Sequence, residues 1–183
     1  MTDSELAILG LLDELDFASG YGVAAVARAR GMKRWAGLST TSVYKGLRSL
    51  VVQRLVLAKP DSRKSGRGPA GNLFQLSPAG RKRVRQALRD ALEEAPEQSV
   101  RYRLALAFVE LVGRKQAVVQ LRCRFEALAS RMREVKSVAK GKHGVASPVG
   151  ALLVFEYALH GLEAECRVTK VLLELLNDRA DGS

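Results

Sequence analysis

The sequence predicts a mainly α-helical protein with a small two-stranded β-hairpin, built as a mixed part over residues 1–95 and a wholly helical part over 96–183. Three observations lead there. Apolar residues recur at helical spacing through most of the chain, and two short strand-like runs, LVLAK and NLFQL, flank a stretch rich in glycine and proline that continues neither. The positive charge is also crowded into the first half. The net charge is +11, and between residues 28 and 89 sixteen Lys or Arg stand against a single acid, whereas 96–183 hold fourteen basic and ten acidic residues. A localised cationic surface of this kind gains counterion-release free energy on a nucleic acid that an evenly mixed surface does not.

The first helix is expected over about 3–15, with Thr2 and Glu5 in capping-box spacing and Leu6, Leu9 and Leu12 on one face, widened by Ile8, Leu11 and Leu15. FASGYG breaks it. Ser19 then caps a second helix whose Ala24, Ala25 and Ala27 favour close packing, and Gly31 ends it. MKRWAG forms a short connection in which Trp35 reads as a core plug.

Residues 38–55, LSTTSVYKGLRSLVVQRL, carry the third helix and organise the rest. Ser39 is its N-cap, and Leu38 before it staples onto Val43. At about 100° per residue, Val43, Leu47, Leu50 and Val51 share one face and Thr41, Tyr44, Lys45 and Arg48 another. The second face offers hydroxyl, phenol, ammonium and guanidinium groups, which contact phosphate oxygens and base edges in a major groove. An ordinary solvated face would look the same on one helix alone, so the neighbours decide. The hairpin that follows carries Lys59, Arg63, Lys64 and Arg67, a cationic arm suited to phosphate contact. Gly66, Gly68 and Gly71 also spell G-x-G-x-x-G, but the run leads into a strand instead of opening a helix, so it is loop chemistry.

Ser77 and Pro78 open the next helix, whose first half holds Arg81, Lys82, Arg83 and Arg85. Cations near the positive end of a helix dipole are unfavourable, and an anion such as phosphate would compensate. Glu93, Glu94 and Pro96 close this helix at the boundary. Beyond it VRYRLALAFVELV reads as one helix to Gly113. Two long helices then repeat apolar residues in steps of three and four: Val118, Leu121, Phe125, Leu128, Met132 and Val135, then Leu152, Phe155, Leu159, Leu162, Cys166, Thr169, Leu173 and Leu176. Such seams need a partner. A second copy of the chain is the economical one, with Leu152, Phe155, Leu159, Leu162, Cys166, Leu173 and Leu176 at the dimer interface.

The succession helix, helix, reading helix, hairpin, helix is that of a winged helix-turn-helix domain. The stretches ELAILGLL, SGYGVAAVAR, WAGLSTTSVYKGLRSLVVQRLV and GRGPAGNLFQLSPAGR, in that order, resemble the PadR-like transcriptional regulators across about residues 5–81. The resemblance implies a homodimer that binds operator DNA and usually represses, with an α-helical C-terminal region for dimerisation and, in some members, ligand sensing. It implies DNA contacts from Ser39, Thr40, Thr41, Tyr44, Lys45 and Arg48 on the reading helix and from Lys59, Arg63, Lys64 and Arg67 on the wing. Two departures stand out. Lys45 replaces the proline familiar after the reading-helix tyrosine, which adds a cation to the exposed face, and the wing carries less arginine near its second strand.

Other classes are disfavoured. No run approaches 18 uninterrupted apolar residues, and MTDSELAILGLLDELD lacks the basic start of a signal peptide, so a cytoplasmic protein without membrane contact is expected. Cys123 and Cys166 are too few and too far apart for a redox pair or zinc cluster, and read as buried free thiols. His143 and His160 join no catalytic arrangement with interpretable spacing, so neither an enzyme nor a cofactor or metal is expected, and His160 reads as a core or interface residue. Tyr102, Phe108, Phe125, Phe155 and Tyr157 fit a ligand cavity and ordinary packing equally, which leaves room for a small-molecule effector of unidentified chemistry. The reading is therefore a homodimeric, sequence-specific repressor on a pseudo-palindromic operator. The alternative is a non-specific basic nucleoid-associated or partner-binding winged-helix protein.

Overall fold

The computed structural model of the chain describes residues 1–60, 71–94, 99–142 and 149–178. Its elements run α1 (Asp3–Leu15), β1 (Phe17–Ser19), α2 (Gly20–Ala29), α3 (Met32–Ala36), α4 (Thr40–Val52), β2 (Val56–Pro60), β3 (Asn72–Leu76), α5 (Pro78–Glu94), α6 (Val100–Ala107), α7 (Val109–Val112), α8 (Arg114–Lys142) and α9 (Val149–Asp178). Packing divides them into two units. One holds α1 through most of α5 together with α6 and α7, and the other holds α8, α9 and residues 92–94. The first is a winged helix-turn-helix arrangement, with α2 and α4 as the paired helices and β2 and β3 as the wing.

Helix α1 is the spine of the first unit. The capping box is present: Thr2 Oγ1 accepts from the Glu5 backbone N–H at 3.2 Å, and the Thr2 N–H donates to Glu5 Oε2 at 2.8 Å. Leu6, Ala7, Ile8, Leu9, Leu11 and Leu12 are all buried, since α2, α3, α4, α6 and β3 pack around the helix. Two glycines set how closely they approach. A Cβ on Gly46 would collide with Ile8 Cδ1, and one on Gly10 would lie 2.7 Å from the Phe108 ring, so each glycine leaves room for a large side chain to seat directly on a helix backbone.

The hairpin is joined by a third strand. β3 pairs antiparallel with β2, matching Val56 to Leu76 and Leu57 to Gln75, and on its other edge with β1, matching Phe17 to Gln75 and Ala18 to Phe74. The sequence marked 17–19 only as a break. The pairing comes from β3, whose second edge would otherwise leave its backbone groups to solvent. The wing's far end, with Arg63, Lys64 and Arg67, lies outside the described residues.

Three expectations change in this unit. VRYRLALAFVELV is not one helix: it breaks at Phe108 (φ −113°, ψ 28°), whose ring is buried against Gly10. Nor does 95 separate its helices from the N-terminal elements. Helix α6 packs on α1 and α3, and the Arg101 guanidinium donates to Asp3 Oδ1 at 3.0 Å and to the Met1 carbonyl at 2.9 Å. Trp35 also differs from its expected part, being half-buried with Nε1 donating to the Arg30 carbonyl, while Met32 fills the core.

In the second unit, α8 and α9 pair antiparallel. Leu121, Leu128 and Leu162 are buried, and Val118, Phe125, Met132, Val135, Phe155, Leu159, Cys166, Leu173 and Leu176 are half-buried. Thr169, the polar member of the rhythm, is buried with its hydroxyl donating to the Glu165 carbonyl at 2.8 Å. Beside it the Arg124 guanidinium, 5% exposed, meets Glu165 at 3.0 Å. The seam assigned to a second copy is thus covered in large part by the chain's own hairpin, Leu152 excepted. Cys123 points outward from α8, contrary to the buried thiol expected, while burial and then the neighbouring Glu165 and Glu163 raise the pKa of the half-buried Cys166 thiol. A raised pKa means less thiolate and lower reactivity. His160 is exposed rather than in the core, flanked by Glu156 and Glu163. Among the described residues no helix is long and apolar enough to cross a membrane.

Candidate nucleic-acid interface

Helix α4 is built from its cap outward. Ser39 Oγ accepts from the Ser42 N–H at 3.1 Å and shares a 2.7 Å hydrogen bond with Ser42 Oγ, while Leu38 and Val43 are both buried beside it. That start fixes the rotation of the helix. Val43, Gly46, Leu47 and Leu50 turn inward and Val51 is half-buried, whereas Thr40, Thr41, Tyr44, Lys45 and Arg48 are exposed. Ser39 is therefore committed mainly to the cap, and the other five form one outward surface about two turns long.

The far end of α4 is held as firmly. Glu5 Oε1 on α1 accepts from Ser49 Oγ and from Gln53 Nε2, both at 2.8 Å. Burial works to raise the pKa of this carboxyl, but hydrogen bonds from the Thr2 backbone, Ser49 and Gln53, with the charge of the chain's amino terminus, outweigh it and lower the pKa. A carboxylate that stays charged thus locks the helix onto the spine, and a rigid helix presents its side chains with little ordering cost.

The basic residues fall into two groups. Arg30 pairs with Glu14, Arg81 and Arg85 with Asp13, and Arg101 with Asp3, all within the first unit. Among the described residues no carboxylate pairs with Lys45, Arg48 or Lys59, and the one hydrogen bond of the Arg48 side chain is a long 3.4 Å donation to the Tyr44 carbonyl. The outward face of α4 therefore offers its cations to solvent. Lys59 is exposed near the end of β2.

The sequence reading missed one contributor. Tyr21 is 69% exposed in the first turn of α2, where Ser19 Oγ accepts from the Gly22 N–H at 3.1 Å. This turn adjoins the outward face of α4, because a Cβ on Gly20 would lie 2.7 Å from Tyr44 Cε1. The phenol and the capped helix start add a hydroxyl and oriented N–H donors beside Tyr44. Its legible signal was a tyrosine one residue after a capping serine and a glycine.

No family model and no curated protein matches the chain. Among solved structures it is similar to Bacillus subtilis PadR in complex with operator DNA, at 17% identity and a TM-score of 0.44 over 94% of this chain and 98% of that one. It is also similar to Bacillus subtilis PadR in complex with p-coumaric acid, at 16% identity and a TM-score of 0.40 over 96% and 99%. A PadR-like transcriptional regulator from Bacillus cereus is similar at 15% identity, with a TM-score of 0.40 over 96% and 99%.

Proposed function

We propose that the chain is a sequence-specific DNA-binding transcriptional regulator, a homodimeric repressor acting on a pseudo-palindromic operator. The observation that carries this is the outward face of α4. Thr41, Tyr44, Lys45 and Arg48 stand exposed on a helix anchored at both ends, and its two cations have no carboxylate partner among the described residues. A rigid helix with free donors fits a major groove, where Lys45 and Arg48 reach guanine O6 and N7. Thr40 and Tyr21 lie alongside as phosphate contacts. Lys59 leads into the wing, whose Arg63, Lys64 and Arg67 supply further phosphate contacts in this reading.

The dimer is proposed to form through α9, on a face other than the seam that α8 partly covers. Val154, Tyr157, Gly161, Ala164, Val168, Val171 and Leu175 follow one another in steps of three and four, and all seven are exposed. This is a heptad seam about 30 Å long at 1.5 Å per residue, with small residues at its centre that let two helices approach closely. A two-fold axis sets the row against its own copy, and Leu152, exposed at the same end, flanks it.

Selection of bound sequences from a random duplex pool tests the function. A repressor recovers one two-fold-related sequence and holds it against excess bulk DNA, typically about 10³ to 10⁷ times tighter than random duplex. Recovery of unrelated sequences with equal affinity would make the protein a non-specific DNA coat, and recovery of none would remove DNA from its function.

A further inference from the structure

We propose that the hollow beside the root of the wing, lined by Leu76, Pro78, Arg81, Lys82, Arg85 and Arg89, binds a small free oxyanion of the phosphate class. The inference stands apart from the DNA reading and does not require it. The hollow measures about 470 Å³, room for a phosphate group carrying an organic portion. Leu76 and Pro78 give it an apolar wall for that portion, and α5 gives it a cationic one.

The cationic wall is costly as it stands. Arg81, Arg85 and Arg89 follow at four-residue intervals on one face of α5, with Lys82 next to them, and like charges at this spacing destabilise a helix. Asp13 offsets part of the cost: its carboxylate, only 2% exposed, lies 2.9 Å from Arg81 Nη1 and 3.6 Å from Arg85 Nη2, and Asp16 stands 3.8 Å from Arg81. This also fixes the two guanidiniums in place. Lys82 and Arg89 are left without a carboxylate among the described residues. An oxyanion in the hollow takes the charge-assisted hydrogen bonds that ammonium and guanidinium groups offer to phosphate.

A DNA phosphate is the other source of such an oxyanion, and the geometry disfavours it. Ser77 Oγ donates to the Arg54 and Leu55 carbonyls at 2.8 and 3.1 Å, and Gly80 is pressed against the Leu55 carbonyl, so α5 starts from the C-terminal end of α4. The proposed contacts on α4 run from Thr40 to Arg48, toward the opposite end of a helix about 20 Å long by its 1.5 Å rise, and Lys59 stands three residues out along β2 from the root at Val56.

The test uses the full chain and inorganic phosphate, followed by calorimetry and thermal unfolding against chloride at matched ionic strength. Phosphate is expected to bind saturably and raise Tm where chloride does not. Arg89→Gln and Lys82→Gln are each expected to weaken that binding by about tenfold or more, as loss of one charge-assisted hydrogen bond implies. Lys82 is exposed, so its variant keeps the unliganded Tm and remains informative if Arg89→Gln unfolds. No saturable binding, an equal effect of chloride, or undiminished binding by Lys82→Gln would overturn the site. A third arm measures salt dependence on random duplex. If either variant lowers the slope of log affinity against log salt by about 0.9, the hollow holds a DNA phosphate and the assignment to a free anion falls. Saturable phosphate binding by a chain that recovers no duplex would leave this site standing and remove only the DNA reading.

Discussion

Glu5 joins a feature that is local in sequence to one that is not. Its capping box with Thr2 was legible, because the two residues stand three apart in a known pattern. Its partners Ser49 and Gln53 were not, since they lie 44 and 48 residues away and only the packing of α4 on α1 brings them in. The lowered pKa gives this network a pH signature. A carboxyl whose folded pKa is depressed contributes stability that is fully present above its ordinary value of 4.5 and is lost as pH falls through the folded value. Glu5→Gln should therefore cost about 1.5–3 kcal/mol at neutral pH, the range for hydrogen bonds to a charged group. The deficit against the parent protein, followed by urea unfolding, should shrink steadily on acidification below pH 4.5; a deficit constant with pH would mean the charge contributes nothing. Gly80 makes a second case at this scale. Its Cβ position is occupied by the Leu55 carbonyl, which also accepts from the Ser77 N–H and hydroxyl. Backbone cannot yield as a side-chain tip can, so Gly80→Ala should lower stability by about 1–3 kcal/mol in the same assay. That glycine was legible only as the end of the run from Leu76 to Gly80, part of the stretch that carries the family resemblance, three residues after a capping serine.

Helix α4 was the most legible element, because a capping serine, a staple and a run of amphipathic turns all specify the same rotation, and burial follows it at Val43, Leu47 and Leu50. Elements specified from elsewhere were harder to read. Strand β1 takes its form from the open edge of β3, and the break at Phe108 comes from a ring seated on a glycine 98 residues earlier. The reading helix and the wing should separate in function as they do in structure. Under the proposed function, Lys45→Ala or Arg48→Ala removes a base contact, costing about 1–3 kcal/mol and relaxing preference at one base pair. Lys64→Ala and Arg67→Ala should instead weaken operator and random duplex alike and make the salt dependence shallower by about 0.9 per phosphate lost. Binding to operators varied one base pair at a time decides between these roles. Uniform losses from Lys45 and Arg48 with altered base preference from the wing would reverse the assignment.

For the whole molecule, periodicity revealed that α9 is apolar in heptads but not which of its two apolar faces meets which partner. A 3.6-residue helix with this many apolar positions supports more than one such row, and the choice depends on how α8 lies against it. The structure gives Leu162, 9% exposed, to the α8–α9 pair and leaves Val171, 48% exposed, facing outward. Replacing either by aspartate puts a charge on an apolar surface, yet the consequences should differ. Leu162→Asp buries an unpaired charge inside one chain, which neutralises or unfolds it, so the hairpin itself should lose stability whatever the chain's assembly state. Val171→Asp has no such effect on the isolated chain, where the residue is half in water, and acts only if a second copy covers it. In a two-fold dimer each protomer brings the same aspartate to the same seam, so the charges enter in pairs. Sedimentation should then show the parent chain as a dimer and Val171→Asp as a folded monomer with unchanged helical content. Its operator affinity should drop steeply as well, because the two half-sites lose the effective concentration that one dimer provides. A parent chain that sediments as a monomer, or a Val171→Asp variant that remains dimeric, would leave the outward row without the partner proposed for it.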